Sequence, residues 1–115
     1  MRGLGAYHNV FSIESFMDEL AVAAGADPIE FRLKHLDDAR GRETIEKAAQ
    51  GFGWQKGQKA PPDRGYGFAF ARYKNLAAYC AIATEVEVNR QSGRPRLVRA
   101  VAAVHRVGRL AIGDI

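Results

Sequence analysis

An α+β chain is expected here: three helices, then a small antiparallel β-meander or hairpin. Three observations carry that expectation. Up to residue 54 the apolar residues recur at helical spacing, and from residue 65 they alternate with a period of two. Between the two regimes lies QKGQKAPPDR, residues 55–64, a polar stretch with a glycine and a proline pair that reads as a linker. The 115 residues therefore divide into a loop plus helices (1–54), a linker (55–64), strands (65–104) and a tail (105–115) within one partial domain.

The chain opens on MRGLGAYHNV, a glycine-punctuated loop running into a helix. Gly3 and Gly5 permit positive φ or close approach to a ligand. A loop of that kind ahead of a helix N-terminus is where phosphate-bearing groups bind. A lone GxG with no preceding strand is not the dinucleotide fingerprint, so on spacing alone the loop is structural. In the first helix Val10, Phe11, Ile13, Phe16, Met17, Leu20, Ala21 and Ala24 form a broad stripe, with Glu14, Asp18 and Glu19 on the other side. Asn9 or Ser12 is the expected N-cap, and Gly25 suits a left-handed end.

Asp27-Pro28 starts the second helix, with Glu30 as the acidic partner of a capping box, and Phe31, Leu33 and Leu36 carry its apolar contacts to about Asp38. The third helix is expected from Arg42 to Phe52, stopped by Gly53, with Trp54 folding back on the helices. In the strand region Tyr66, Phe68, Phe70 and Arg72 alternate with Gly67, Ala69, Ala71 and Tyr73. Ile82, Thr84, Val86 and Val88 then lie opposite Ala83, Glu85 and Glu87. The two glutamates are expected to face solvent or another domain. QSGR makes a turn and PRLVRAVAAV returns as a third strand.

Composition narrows the function. The chain is 47% hydrophobic and 26% charged, a globular composition, with a net charge of +4. Its one cysteine, Cys80, excludes an intrachain disulfide framework. No apolar run approaches the ~20 residues that cross a bilayer. His8, His35 and His105 have no metal-ligand spacing, so no metal site and no catalytic residue is assigned. Glu14, Asp18 and Glu19 share a face, which reads as the polar side of an amphipathic helix rather than an acid–base pair. Arg90, Arg94, Arg96, Arg99, Arg106 and Arg109 follow the aromatic strand, but without an RNP-like string or a GXXG clamp they do not make a nucleic-acid site.

Read together, RGLGAYHNVFSIESFMDELAVAAGADPIEFRLKHL, then GFGW (51–54), GYGFAFARYKN (65–75) and EVEVN (85–89), resemble the molybdopterin-binding large subunit of the xanthine dehydrogenase and aldehyde oxidase family. The separate elements occur in that family's order over most of the chain. The resemblance implies hydroxylation of an aldehyde or N-heterocycle with water as oxygen source, molybdopterin as cofactor, and an iron–sulfur subunit or domain that takes the electrons. It implies that Arg2 and Gly3 contact the cofactor and that Leu4 and Gly5 line the substrate pocket. Many members carry an aromatic residue where Leu4 stands, which suggests a different substrate shape. The family's general-base glutamate and most of its pterin-holding loops are missing here, and the match stops at His105, as a frameshift would make it. The expectation is a cytoplasmic fragment, or a periplasmic one should a leader precede Met1. Such a fragment is expected to be inactive alone and not to retain the cofactor, with apolar faces left exposed. A docking module completing a split enzyme is the alternative, and a small basic RNA-binding domain is a weaker one.

Overall fold

The computed structural model describes residues 5–73, 78–106 and 109–115. Three helices, α1 (Ala6–Ala23), α2 (Pro28–Lys34) and α3 (Ala39–Phe52), precede four strands, β1 (Arg64–Tyr73), β2 (Ala78–Val88), β3 (Pro95–Arg106) and β4 (Arg109–Asp114). The strands form one antiparallel sheet in the order β1-β2-β3-β4, so β1 and β4 are its edges. The α+β expectation holds, with one strand more than the expected meander. β4 comes from the tail. Its six residues are too few for alternation alone to reveal, and it forms by pairing back on β3, from Arg106↔Arg109 to Val101↔Asp114.

Local chemistry sets the helix ends. Helix α1 begins at Ala6, earlier than the capping candidates Asn9 and Ser12 imply. Gly5 is its N-cap, and no side chain caps it. Its C-terminus closes as expected on left-handed Gly25, with the Gly25 and Ala26 N–H groups donating to the Val22 and Ala21 carbonyls. Asp27 caps α2 through the N–H groups of Ile29 and Glu30, with Pro28 in the first position. Helix α2 stops at Lys34, short of the expected Asp38. Asp38 instead caps α3 by accepting from the Arg40 and Gly41 N–H groups, so that helix starts three residues before Arg42. Gly53, at φ 81°, ends it as expected.

Helix α3 covers one face of the sheet. Ile45, Ala48 and Phe52 meet Phe68, Ala81, Ala83, Val101 and Ala103, with Ile29 of α2 completing the core. The strands present alanine under the helix, and the helix presents glycine to the sheet. A Cβ at Gly41 would stand 2.9 Å from Leu36 Cδ2 and 3.1 Å from the Phe70 ring, so the close approach needs a bare Cα there. The expected packing of Trp54 is observed: its ring lies 5.9 Å from Phe52 and 6.1 Å from Phe68, and Nε1–H donates to Asp27 Oδ1 at 2.9 Å.

The sheet's parity corrects the reading of Glu85 and Glu87. Tyr79, Ala81 and Ala83 are the buried residues of β2, which puts the glutamates on the helix-covered face at its open end. Arg64 pairs with both, at 2.9 Å and 3.2 Å. The opposite face, with Ala69, Ala71, Tyr73, Cys80, Ile82 and Val104, carries none of the described helices. Helix α1 is also thinly covered: Tyr7, Phe11, Ile13, Phe16 and Val22 are all more than half exposed.

Gly41→Ala is expected to lower unfolding free energy by about 1–2 kcal/mol, the overpacking cost outweighing the gain in helix propensity. Gly65→Ala, where a Cβ meets nothing within 4 Å, serves as the control. Equal urea midpoints for the two variants would show that the α3–sheet spacing is not limiting.

Candidate functional site

The expected site is the loop at the start of α1. Arg2, Gly3 and Leu4 lie outside the described residues. Gly5 lies at the junction, with φ −81° and ψ −23°. That is right-handed backbone, so Gly5 is not required here for positive φ. A Cβ built on it would meet Asn9 Nδ2 at 3.4 Å, an ordinary contact. The first turn of α1 carries no acidic residue and no side-chain cap. Among the described residues its N–H groups are therefore not claimed by a carboxylate or hydroxyl, which suits an anionic group.

The carboxylates on α1 are structural. Arg32 of α2 is 4% exposed and turns its guanidinium into the α1–α2–β1 junction. Nε donates to Glu14 Oε1 at 3.1 Å, Nη1 to the Pro28 carbonyl at 3.0 Å, and Nη2 to the Glu14 carbonyl at 3.2 Å. Asp18 Oδ1 lies 2.9 Å from Nη2 as a second counter-charge. The same Glu14 oxygen accepts the backbone N–H of Phe70 on the edge strand β1. Glu19 takes no part in this cluster. The reading of these acids as a polar helix face missed a buried arginine 18 residues away, which no local pattern announces.

A second polar network joins α3 to the sheet. Asp38, beyond its capping bonds, accepts from Tyr79 Oη at 2.5 Å and from Arg72 Nη1 at 3.0 Å. The Tyr79 hydroxyl, then the Arg72 guanidinium and the two backbone donors, hold the carboxyl at about 2 against a burial effect in the other direction. The Tyr79 hydroxyl is pushed up, chiefly by that same carboxylate. Arg40 stacks 4.4 Å from the Tyr79 ring and donates from Nε to Nδ1 of buried His105 at 3.3 Å. His105, expected as a surface or packing residue, is a packing residue. His35 lies against Phe31, and His8 lies edge-on to Tyr7. Among the described residues no cluster of histidine, cysteine and carboxylate could hold a metal.

The basic stretch does not form a nucleic-acid groove with the aromatics. Tyr66, Phe68 and Phe70 point into the helix-covered core. Arg99 stacks over Phe52 and donates to the Phe52 and Gly51 carbonyls, which makes it a cap for the C-terminus of α3. Cys80 is half-buried on the uncovered face, and burial raises its thiol. None of this is chemistry in itself. The cofactor and substrate contacts expected from the resemblance fall on the loop leading into Gly5, of which Arg2, Gly3 and Leu4 lie outside the described residues.

Among curated proteins, a nicotinate dehydrogenase subunit of Pseudomonas putida is 41% identical over 114 aligned positions, 88% of this chain. The beta chain of isoquinoline 1-oxidoreductase from Brevundimonas diminuta is 34% identical over 100% of this chain. The xanthine dehydrogenase molybdenum-binding subunit of Escherichia coli O157:H7 is 37% identical over 49% of it. The chain belongs to this family of molybdenum hydroxylase subunits. It spans 10%, 15% and 9% of the lengths of those three relatives. No protein-family model matches it. No helix among the described residues is long and apolar enough to cross a membrane.

A pH dependence follows from Asp38. Its folded pKa is depressed from 3.8 to about 2, so its contribution is complete above about pH 4–5 and is lost as pH falls toward 2. With solvent around Arg72 taken into account, that contribution is about 1–2 kcal/mol. Wild type is expected to exceed Asp38→Asn by that amount at about pH 6, with the gap closing toward pH 2. Urea melts at both pH values check this, and an unchanged gap would contradict it.

Proposed function

We propose that the chain is a segment of a molybdenum-cofactor-binding oxidoreductase subunit that hydroxylates an aldehyde or an N-heterocycle with water, and that it has no such activity alone. The observation that carries the reading is the junction at Gly5, in a chain of this family: a conformationally unneeded glycine before a helix whose first turn has no acidic residue and no side-chain cap. Those features fit a phosphate-bearing pterin.

Arg2 and Gly3 would hold the cofactor, Arg2 by its charge and Gly3 by allowing backbone approach. Leu4 and Gly5 would line the substrate cavity, Leu4 as an apolar wall and Gly5 as open space beside it. When bound, the cofactor supplies the two-electron oxidation of the substrate carbon, and the protein supplies position and electrostatics. Of the acid side chains here, Glu14, Asp18, Asp38, Glu85 and Glu87 are each held by arginine. The base for the reaction therefore comes from outside these residues, as do most of the cofactor's contacts. An iron–sulfur subunit or domain takes the electrons away, and the assembly works in the cytoplasm.

The test puts this chain in place of the matching segment of the Pseudomonas putida nicotinate dehydrogenase subunit and measures molybdenum content and hydroxylation. The exchanged enzyme should keep its metal and turn over. In it Arg2→Ala should cost roughly 100-fold in kcat/KM, as misplacement of reacting groups does. Gly5→Ala, which the fold tolerates, should cost at least about 10-fold by filling the space at the cavity, as misfit there displaces substrate. If both variants match the exchanged parent, the loop is no part of the site and the reading fails.

A further inference from the structure

Helix α1 joins the rest of the fold in an unusual way. Ala21 is its only buried residue among those described, while Tyr7, Phe11, Ile13, Phe16 and Val22 are more than half exposed. Apolar burial therefore does little to fix where its N-terminal half lies. What reaches across to the sheet is polar. Glu14 is in the middle of α1, and its side chain is 14% exposed. One of its oxygens accepts from both Arg32 Nε and the Phe70 N–H. β1 is an edge strand, so an outward-facing N–H there has no ladder partner. Glu14 supplies the missing acceptor, and Arg32 supplies a counter-charge 3.1 Å from the same oxygen.

The arrangement is directional. Arg32 is fixed to its own helix through the Pro28 carbonyl, and it grips α1 at two points, the Glu14 side chain and the Glu14 carbonyl. A rigid fork of five donors is suited to such a grip, and a lysine could not reproduce it. Held there, α1 can neither rotate about its axis nor slide along β1 without breaking several bonds at once. The other end of the same rigid rod is Gly5.

We infer that Glu14 and Arg32 are positioning residues for the reaction: they clamp α1 to Phe70 of the edge strand and so aim the loop that ends at Gly5. This rests on the reading of that loop as the cofactor and substrate loop. Neither residue touches substrate, and both act through the placement of α1.

Two measurements test it. The first uses the 115-residue chain and follows amide hydrogen exchange. Glu14→Ala should speed exchange at the Phe70 N–H and along α1 by about 10- to 100-fold, as loss of a buried partner does, and leave the β2 and β3 amides protected. Glu14→Gln keeps an acceptor oxygen and should retain most of the Phe70 protection, which guards against a variant that merely fails to fold. The second uses the segment-exchanged enzyme. At unchanged molybdenum content, Glu14→Ala should raise KM by about 10-fold with a smaller change in kcat, and Glu14→Gln should recover most of the loss, as positioning through an acceptor requires. Unchanged exchange along α1 in Glu14→Ala overturns the clamp, whatever the loop does. Faster exchange with parental kinetics overturns the aiming role and leaves a structural one. An exchanged enzyme that holds no molybdenum at all tells against the cofactor reading, and with it the aiming role, and leaves the clamp to be judged on exchange alone.

Discussion

Arg32 is the residue on which the arrangement of the N-terminal half depends. A guanidinium that is 4% exposed would be strongly destabilising without partners, and this one has two carboxylates and two carbonyls from α1 and α2. Its cation also lies 5.9 Å from the Phe68 ring, which ties the polar cluster to the apolar core beside it. Replacing such a cluster with well-packed hydrophobic groups can be neutral for stability, so stability alone does not account for it. Geometry does. An apolar contact tolerates sliding and rotation, whereas a fork of directed bonds has one register.

The two halves of the fold are thus held by different physics. Helix α3 is seated on β2 and β3 by small residues and close packing, with Asp38 and Arg99 anchoring its two ends to the sheet. Helix α1 is seated by charge and hydrogen bonds, with its apolar side chains directed largely away from the core. A helix that is apolar around much of its circumference is normally an interior helix of a larger body. The open face of the sheet, with its alanines, Ile82 and Val104, makes the same point from the other side. The chain spans 10% and 15% of two relatives, and among the described residues both surfaces are left open.

How much of this could be read from the residues depended on range. Asp27-Pro28, Gly25 and Gly53 declare helix boundaries through chemistry acting over two or three positions, and all three act as expected. The alternation around Phe68 declares a strand in the same way. Asp38 is as good a cap as Asp27, but no proline follows it, and the helix it starts opens on Ala39, Arg40 and Gly41, which show no apolar period. The strand β4 was missed because its evidence is a partner: Leu110 and Ile112 become core-side residues only when β3 fixes their register. Glu85 and Glu87 failed for a related reason. Charge suggested solvent, but the parity of β2 is set by Tyr79, Ala81 and Ala83 beneath α3, and Arg64 neutralises what that parity brings inward. The Glu14–Arg32–Phe70 cluster spans 56 residues, and no spacing rule reaches that far.

The same division bears on the Gly5 end of α1. The aim of the helix at that end is set by how the helix itself is held. Helix α1 can provide that aim only if it is itself fixed against the sheet, and in this fold the directed contact from its middle to β1 is the Glu14 carboxylate on the Phe70 N–H. The Gly5 end of α1 and the buried arginine thus belong to one mechanical path, from edge strand to carboxylate to helix. A substitution at Glu14 is then a perturbation of that end of α1 applied from about two and a half turns of helix away.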